Sequence, residues 1–258
     1  MTGAPTRDFS TVTESTGNLV SQEAWNHMCS RYWFVGEMVA GRRVLEVGCG
    51  SGQGLGYLAR RAKLVVGGDL TAGLLARAQR HYQGRIGLAR LDAHALPFSD
   101  GAFDVVLLYE AIYYLRDPEA FLEEARRLLS PGGVLVIVSA NPERPDFNPS
   151  PYSHAYYSAD RVRATLSRHS FAPQIHGVFP VHANSVRDRL LMVARKVAVQ
   201  FRLIPKTMDG KVWLKRLVYG KLVPIRAEVE DGPSPEVTSL ATGAVSGFQV
   251  IYAVGRKL

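Results

Sequence analysis

Along the chain, short runs of consecutive apolar residues alternate with stretches in which apolar positions return every three to four residues. Gly, Pro, Asp or Asn marks most of the switches. The first helical stretch, residues 21–39, places Trp25, Met28, Cys29, Tyr32, Trp33 and Met38 at helical spacing behind a capping-type start at Ser21. Residues 44–47 are then an apolar strand that breaks into alternating glycines, with Leu55, Leu58 and Ala59 opening a second helix. The same reading predicts strands at 64–69, 86–91, 103–108 and 134–139 and helices at 72–82, 118–129 and 158–169. Asp117 caps the 118–129 helix, with Pro118 in the favoured first position. Strands around 174–181 and 247–255 complete the set.

Strands alternating with helices in this way predict an α/β fold, a seven-stranded, mostly parallel, doubly wound sheet. Residues 21–182 and 247–258 form its core, residues 1–20 are a flexible N-terminus, and residues 183–246 are an insertion before the last strand. From Ser185 the apolar positions Val186, Leu190, Val193, Val197 and Phe201 share one helical face, and Trp213, Leu217 and Val218 suggest a second amphipathic helix. The insertion therefore reads as mainly helical.

The glycine loop narrows the chemistry. From Gly48, Gly50 or Gly52, the third glycine of a dinucleotide fingerprint would fall on Gln53, Leu55 or Tyr57, and the loop lacks the lysine of a phosphate-binding P-loop. Asp69 lies 19 residues beyond Gly50, which puts it at the carboxyl end of the neighbouring strand. There its carboxylate can accept both hydroxyls of a ribose, or cap the helix that follows. Cys49 reads as a small space-filler rather than a nucleophile.

What remains, Glu46-x-Gly48-x-Gly50-x-Gly52, closely resembles motif I of the class I S-adenosylmethionine (SAM) dependent methyltransferases, small-molecule type, whose fold is Rossmann-like. Asp92-Ala93 followed by Leu96-Pro97-Phe98, and Pro131-Gly132-Gly133 after Leu128-Leu129-Ser130, are similar to later family features. The resemblance implies SAM as cofactor. Glu46, Gly48, Cys49, Gly50 and Gly52 would hold its amino-acid end, Asp69 and Leu70 its ribose and Asp92 and Ala93 its adenine, with Tyr109 at the end of the fourth strand. The family's first helix closes over the cofactor, so Tyr32 either reaches SAM or packs on the core.

The acceptor should meet residues after the fourth and fifth strands: Glu110, Tyr113, Tyr114, Asn141 and the 140–157 loop with His154 and Tyr157. His154 is the candidate base for a hydroxyl acceptor, or a loop histidine in a structural bond. Glu110 could hold a hydroxyl or an amine, or cap the next turn. Some relatives carry a second acid and a histidine where this chain has Tyr113 and Tyr114, and use them as metal ligands; the tyrosines remove those ligands, so no metal is expected. Three functions are compatible with the SAM motifs: methylation of a small-molecule acceptor in natural-product, sugar or lipid biosynthesis, a non-catalytic SAM-binding partner, and a non-methylating reaction such as cyclisation.

Composition adds one feature. The 258 residues are 47% apolar and 21% charged, and no apolar stretch suits a signal peptide or membrane span, so a soluble cytoplasmic protein is expected. Two cysteines exclude a disulfide framework. The net charge of +8 is concentrated between Ser185 and Arg226, where eleven basic residues face two acids, and the rest is slightly acidic. That segment could cap the acceptor pocket and draw in an anionic or lipid-linked substrate, touch a membrane surface peripherally, or form a solvated homodimer face. No nucleic-acid-binding module is present, and no nucleic acid partner is expected.

Overall fold

The computed structural model of the chain describes residues 8–181 and 221–258. Ten strands and five helices follow in the order β1(Leu19–Ser21), α1(Gln22–Val39), β2(Arg43–Val47), α2(Leu55–Ala59), β3(Leu64–Asp69), α3(Ala72–Tyr82), β4(Gly87–Arg90), β5(Phe103–Tyr109), α4(Pro118–Leu128), β6(Leu129–Ala140), α5(Ala159–Arg168), β7(Phe171–Pro180), β8(Leu222–Pro224), β9(Thr238–Ser239) and β10(Phe248–Lys257). The main sheet runs β4-β3-β2-β5-β6-β10-β7-β9. Its strands from β4 to β6 are parallel, and β10 lies antiparallel between β6 and β7. Seven strands match the expectation; the eighth, β9, is a two-residue edge formed by the chain ahead of β10.

Side chains alternate across the sheet because successive residues of a strand point to opposite faces. Val44, Val105, Leu107, Val134 and Val136 pack with α1, α2 and α3, while Leu45, Val47, Val106, Leu108, Leu135 and Ile137 pack with α4 and α5. Both faces are thus covered, which is why the central strands read as unbroken apolar runs. Ser21 caps α1 by accepting from Ala24 N at 3.1 Å, and Asp117 caps α4 through Glu119 N and Ala120 N.

Three expectations change. β6 begins at Leu129 rather than at residue 134: the Pro-Gly-Gly turn lies inside the strand as an irregularity, with Gly132 at φ +70, and pairing to β5 resumes at Val134. The end of the insertion, residues 221–246, is not helical; it contributes β8 and β9 and otherwise irregular backbone. The two amphipathic helices expected at 185–202 and 213–218 lie outside the described residues. From Asp8 onward, the segment expected to be a flexible terminus lies against the sheet's carboxyl edge, and β1 pairs antiparallel with β8.

Candidate active site

The chain winds from β2 outward to β3 and β4, then returns to start β5 on the other side of β2. The carboxyl ends of β2 and β5 therefore form the switch point at which open α/β sheets hold ligands. A cavity of about 930 Å³ opens there, within the range of small-molecule sites. Its wall on one side is the glycine loop. Gly48 and Gly50 have φ +74 and +58, which L side chains rarely adopt. Gly48 N and Cys49 N both donate to Gly68 O, and Gly50 N donates to Asp69 Oδ2 at 2.9 Å, so β3 holds the loop in place.

Glu46 is 1% exposed, and its two oxygens differ. Oε1 accepts from Tyr32 OH at 2.7 Å, whereas Oε2 is buried without any hydrogen-bond partner. Burial raises the Glu46 carboxyl to about 7, with the Tyr32 bond and Arg31 opposing the rise. A buried, unpartnered carboxylate oxygen is costly unless a donor completes it. Cys49 is buried and its thiol is pushed well up by burial, which suits the space-filling role.

The opposite wall comes from α1, β5 and the loop after β6. Ala24, His27, Met28, Arg31 and Tyr32 recur at helical spacing and present one face of α1 to the cavity. Burial lowers His27 to about 4, so its ring is neutral; it stacks on Phe179 with centroids 3.6 Å apart. Glu110, directly after β5, has φ +50, a left-handed conformation uncommon for a residue with a Cβ. The turn aims its carboxylate at Tyr113 OH and Ala140 N, both of which donate to Oε2 at 2.9 and 3.2 Å. His154 N donates to Tyr113 O at 2.7 Å, which ties the loop to this turn.

Residues 8–18 cross the mouth. Phe9 N donates to Thr71 Oγ1, Arg77 donates to Ser15 Oγ at 2.7 Å and Thr16 N donates to Ser51 Oγ. The Phe9 ring lies 5.3 Å from that of Tyr114. This strap spans both halves of the cavity.

A family model described as methyltransferase domain matches residues 45–137, the stretch from β2 into β6. Over those residues the chain is similar to the class I SAM-dependent methyltransferase family. The chain is 41% identical over 107 residues to a fatty-acid O-methyltransferase of Mycolicibacterium smegmatis, covering 40% of this chain and 39% of that protein. It is 34% identical over 142 residues to a ubiquinone biosynthesis O-methyltransferase of Psychrobacter cryohalolentis, covering 52% and 53%. The chain spans about half or less of the length of these curated relatives. Among solved structures, the [4+2]-cyclase SpnF aligns with a TM-score of 0.60 at 18% identity over 95% of this chain and 87% of its own. The YcgJ protein of Bacillus subtilis aligns at 0.55 and 16%, over 91% and 98%. Both likenesses establish the fold.

SAM is the cofactor of this family, and the residues present fit it: Glu46, whose Oε2 is buried and unpartnered, lines a cavity in which an ammonium could complete it. Tyr32, Glu46, Gly48, Cys49, Gly50, Asp69, Leu70, Asp92, Ala93 and Tyr109 all line the cavity, as do Glu110, Tyr113, Tyr114 and His154. Asp69 is not the cap of α3. That position is Thr71, and Asp69 instead accepts from Gly50 N and Thr71 N, bracing the loop. Asp92 Oδ1 accepts from His94 Nδ1; Asp117 N donates to His94 Nε2, which fixes the proton on Nδ1.

Three expected residues stand elsewhere. Gly52 faces α3, where a Cβ would meet Ala78 Cβ and Tyr82 at 3.1 Å, so it serves packing. Asn141 is fully buried and donates to Val245 O and Phe248 O, fastening the loop to the chain leading into β10. Tyr157 packs against α4 and α5 beneath the Arg161 guanidinium. Sequence reading passed over His27, Arg144, His94 and the strap. His27 was legible as a polar residue on the apolar face of α1, in step with Ala24, Met28 and Arg31; the other three needed the tertiary fold. Among the described residues no cluster of His, Cys, Asp and Glu is arranged to hold a metal, and no helix is long and apolar enough to cross a membrane.

Proposed function

We propose that the protein is a SAM-dependent methyltransferase acting on a hydroxyl or amine of a small-molecule acceptor. The observation carrying this reading is that a single cavity joins the glycine loop and the unpartnered Glu46 Oε2 to a second polar set, Glu110, Tyr113 and His154. Similarity to O-methyltransferases over half the chain or less supports the reaction class.

Bound SAM supplies a methyl group already activated by the sulfonium charge, so the chain mainly has to orient the acceptor and bring it close. Glu46 would receive the ammonium of the methionyl part, and Asp69 and Asp92 would hold the nucleoside part. Arg31, electrostatically coupled to Glu46 and Glu110, would hold the methionyl carboxylate. In the acceptor half, Glu110 Oε2 is committed to Tyr113 and Ala140, whereas Oε1 has no hydrogen bond among the described residues and remains available to a hydroxyl or amine. His154 takes the proton of a hydroxyl acceptor, and the strap over the mouth excludes water.

Calorimetry with S-adenosylhomocysteine, paired with methyl-labelled SAM and a small-molecule extract, tests the reading. Tight binding, lost in Asp69→Ala, and label in a small-molecule product support it. Absence of binding defeats it, and binding without any labelled small molecule leaves only a non-catalytic or non-methylating role.

A further inference from the structure

Two arginines on the cavity each bury an Nε with no hydrogen-bond partner, and they are not equivalent. Arg31, on α1, is surrounded by Glu110, Glu46 and several phenols; burial works to lower its pKa, but Glu110 and the phenols carry it above the usual value. Arg144 comes from the loop after β6, on the acceptor side. Its guanidinium lies 5.9 Å from the centre of the Phe147 ring, and its one ion-pair partner among the described residues, Asp146, stands 3.5 Å from Nε, outside hydrogen-bond geometry. Its side chain is 23% exposed, yet Nε is buried and has no hydrogen-bond partner among the described residues. Leaving a buried Nε donor unmatched is unfavourable, and a carboxylate is the group whose two oxygens can meet Nε and a neighbouring guanidinium N–H together.

The surroundings agree. Tyr113 and Tyr156 stack with centroids 4.3 Å apart, Phe147 packs edge-on to Tyr156, and His27, held neutral by burial, lies within electrostatic reach of both arginines. At this end the cavity therefore sets the Tyr113 ring, backed by Tyr156 and Phe147, beside guanidinium charge. A hydroxyl at Glu110 Oε1 and an anion at Arg144 would be bound by different groups of the same wall.

We infer that the acceptor carries a carboxylate, which docks on Arg144 while its hydroxyl or amine is presented at Glu110. This rests on the methyltransferase reading and assigns anion recognition to a residue of the acceptor loop, independent of the basic stretch around 185–226. Arg144 is a specificity-determining residue that grips the acceptor at a point remote from the reacting atoms.

The test uses the full chain saturated with S-adenosylhomocysteine and three matched pairs of probes: 3,4-dihydroxybenzoate, 4-aminobenzoate and 3-hydroxydecanoate, each against its carboxamide. At least one acid should bind about tenfold or more tightly than its amide, the scale of one lost charge-assisted contact. Arg144→Gln should bring that ratio to about one and Arg144→Lys should restore part of it, with S-adenosylhomocysteine affinity and melting temperature unchanged in both. The inference is overturned if no acid is preferred by the parent protein, or if the preference survives Arg144→Gln. It is equally overturned if Arg144→Gln weakens S-adenosylhomocysteine in place of the acid, since Arg144 would then serve the cofactor's carboxylate. A parent protein that binds no S-adenosylhomocysteine defeats the methyltransferase reading itself, and this inference with it.

Discussion

Glu46 carries much of the site's chemistry because its two oxygens are treated so differently. In the ligand-free protein its carboxyl is raised to about 7, chiefly by burial, and a cationic ammonium beside Oε2 favours the ionised form. SAM affinity should therefore rise with pH up to about 7, by as much as roughly tenfold per unit, and level off above it. Titration calorimetry between pH 5.5 and 8.5 checks this, and Glu46→Gln should flatten the profile while weakening binding. The linked stability has the opposite sign. A carboxyl whose folded pKa is raised contributes stability below its unfolded value, and that contribution is lost as pH rises through the folded value near 7. Glu46→Gln should remove this loss from the ligand-free protein, as seen by melting at pH 5 and pH 8. Gly52 gives a contrasting prediction. At φ +82 with Ala78 and Tyr82 against the position of a Cβ, Gly52→Ala should cost about 1–2 kcal/mol or more of fold stability, read from urea unfolding.

Two elements govern access. One face of α1 supplies His27, Arg31 and Tyr32 to the cavity, and the strap of residues 8–18 closes over it by bonds to Thr71, Ser51 and Arg77. Removing both the Phe9 ring contact with Tyr114 and the Arg77–Ser15 bond, in a Phe9→Ala, Ser15→Ala double variant, should cost the closed strap about 2 kcal/mol. Stopped-flow displacement should then show cofactor release faster by roughly tenfold or more. An unchanged release rate would mean that the strap does not limit exchange. The strap was hidden in the sequence because Thr- and Ser-rich composition signals low burial, while its partners on Arg77 and Thr71 lie some sixty positions away. His27 was better signposted, since a polar residue in step with an apolar helical stripe is either a satisfied core group or part of a site.

At the scale of the molecule, strands β2, β3 and β5 and the loop after β6 must hold one geometry for the cavity to exist, so ligand binding and folding are coupled. S-adenosylhomocysteine at a hundred times its dissociation constant should add about 2.7 kcal/mol of stability. For a chain of this length that raises the melting temperature by roughly 5–10 °C, measurable by calorimetry. The sequence alone determined the α/β class, the order of the core strands and helices and the glycine loop, because apolar periodicity, caps and glycine positions are local properties. It also located Glu46, Asp69, Glu110 and Tyr113, each of which follows or ends a strand at the sheet's carboxyl edge. Only the tertiary structure decided that Asn141, Tyr157 and Gly52 fasten and pack outside the cavity lining, and that Arg144 lines the cavity with its Nε unmatched. Those outcomes depend on where a side chain points and on what distant segment completes its hydrogen bonds, and one-dimensional spacing encodes neither.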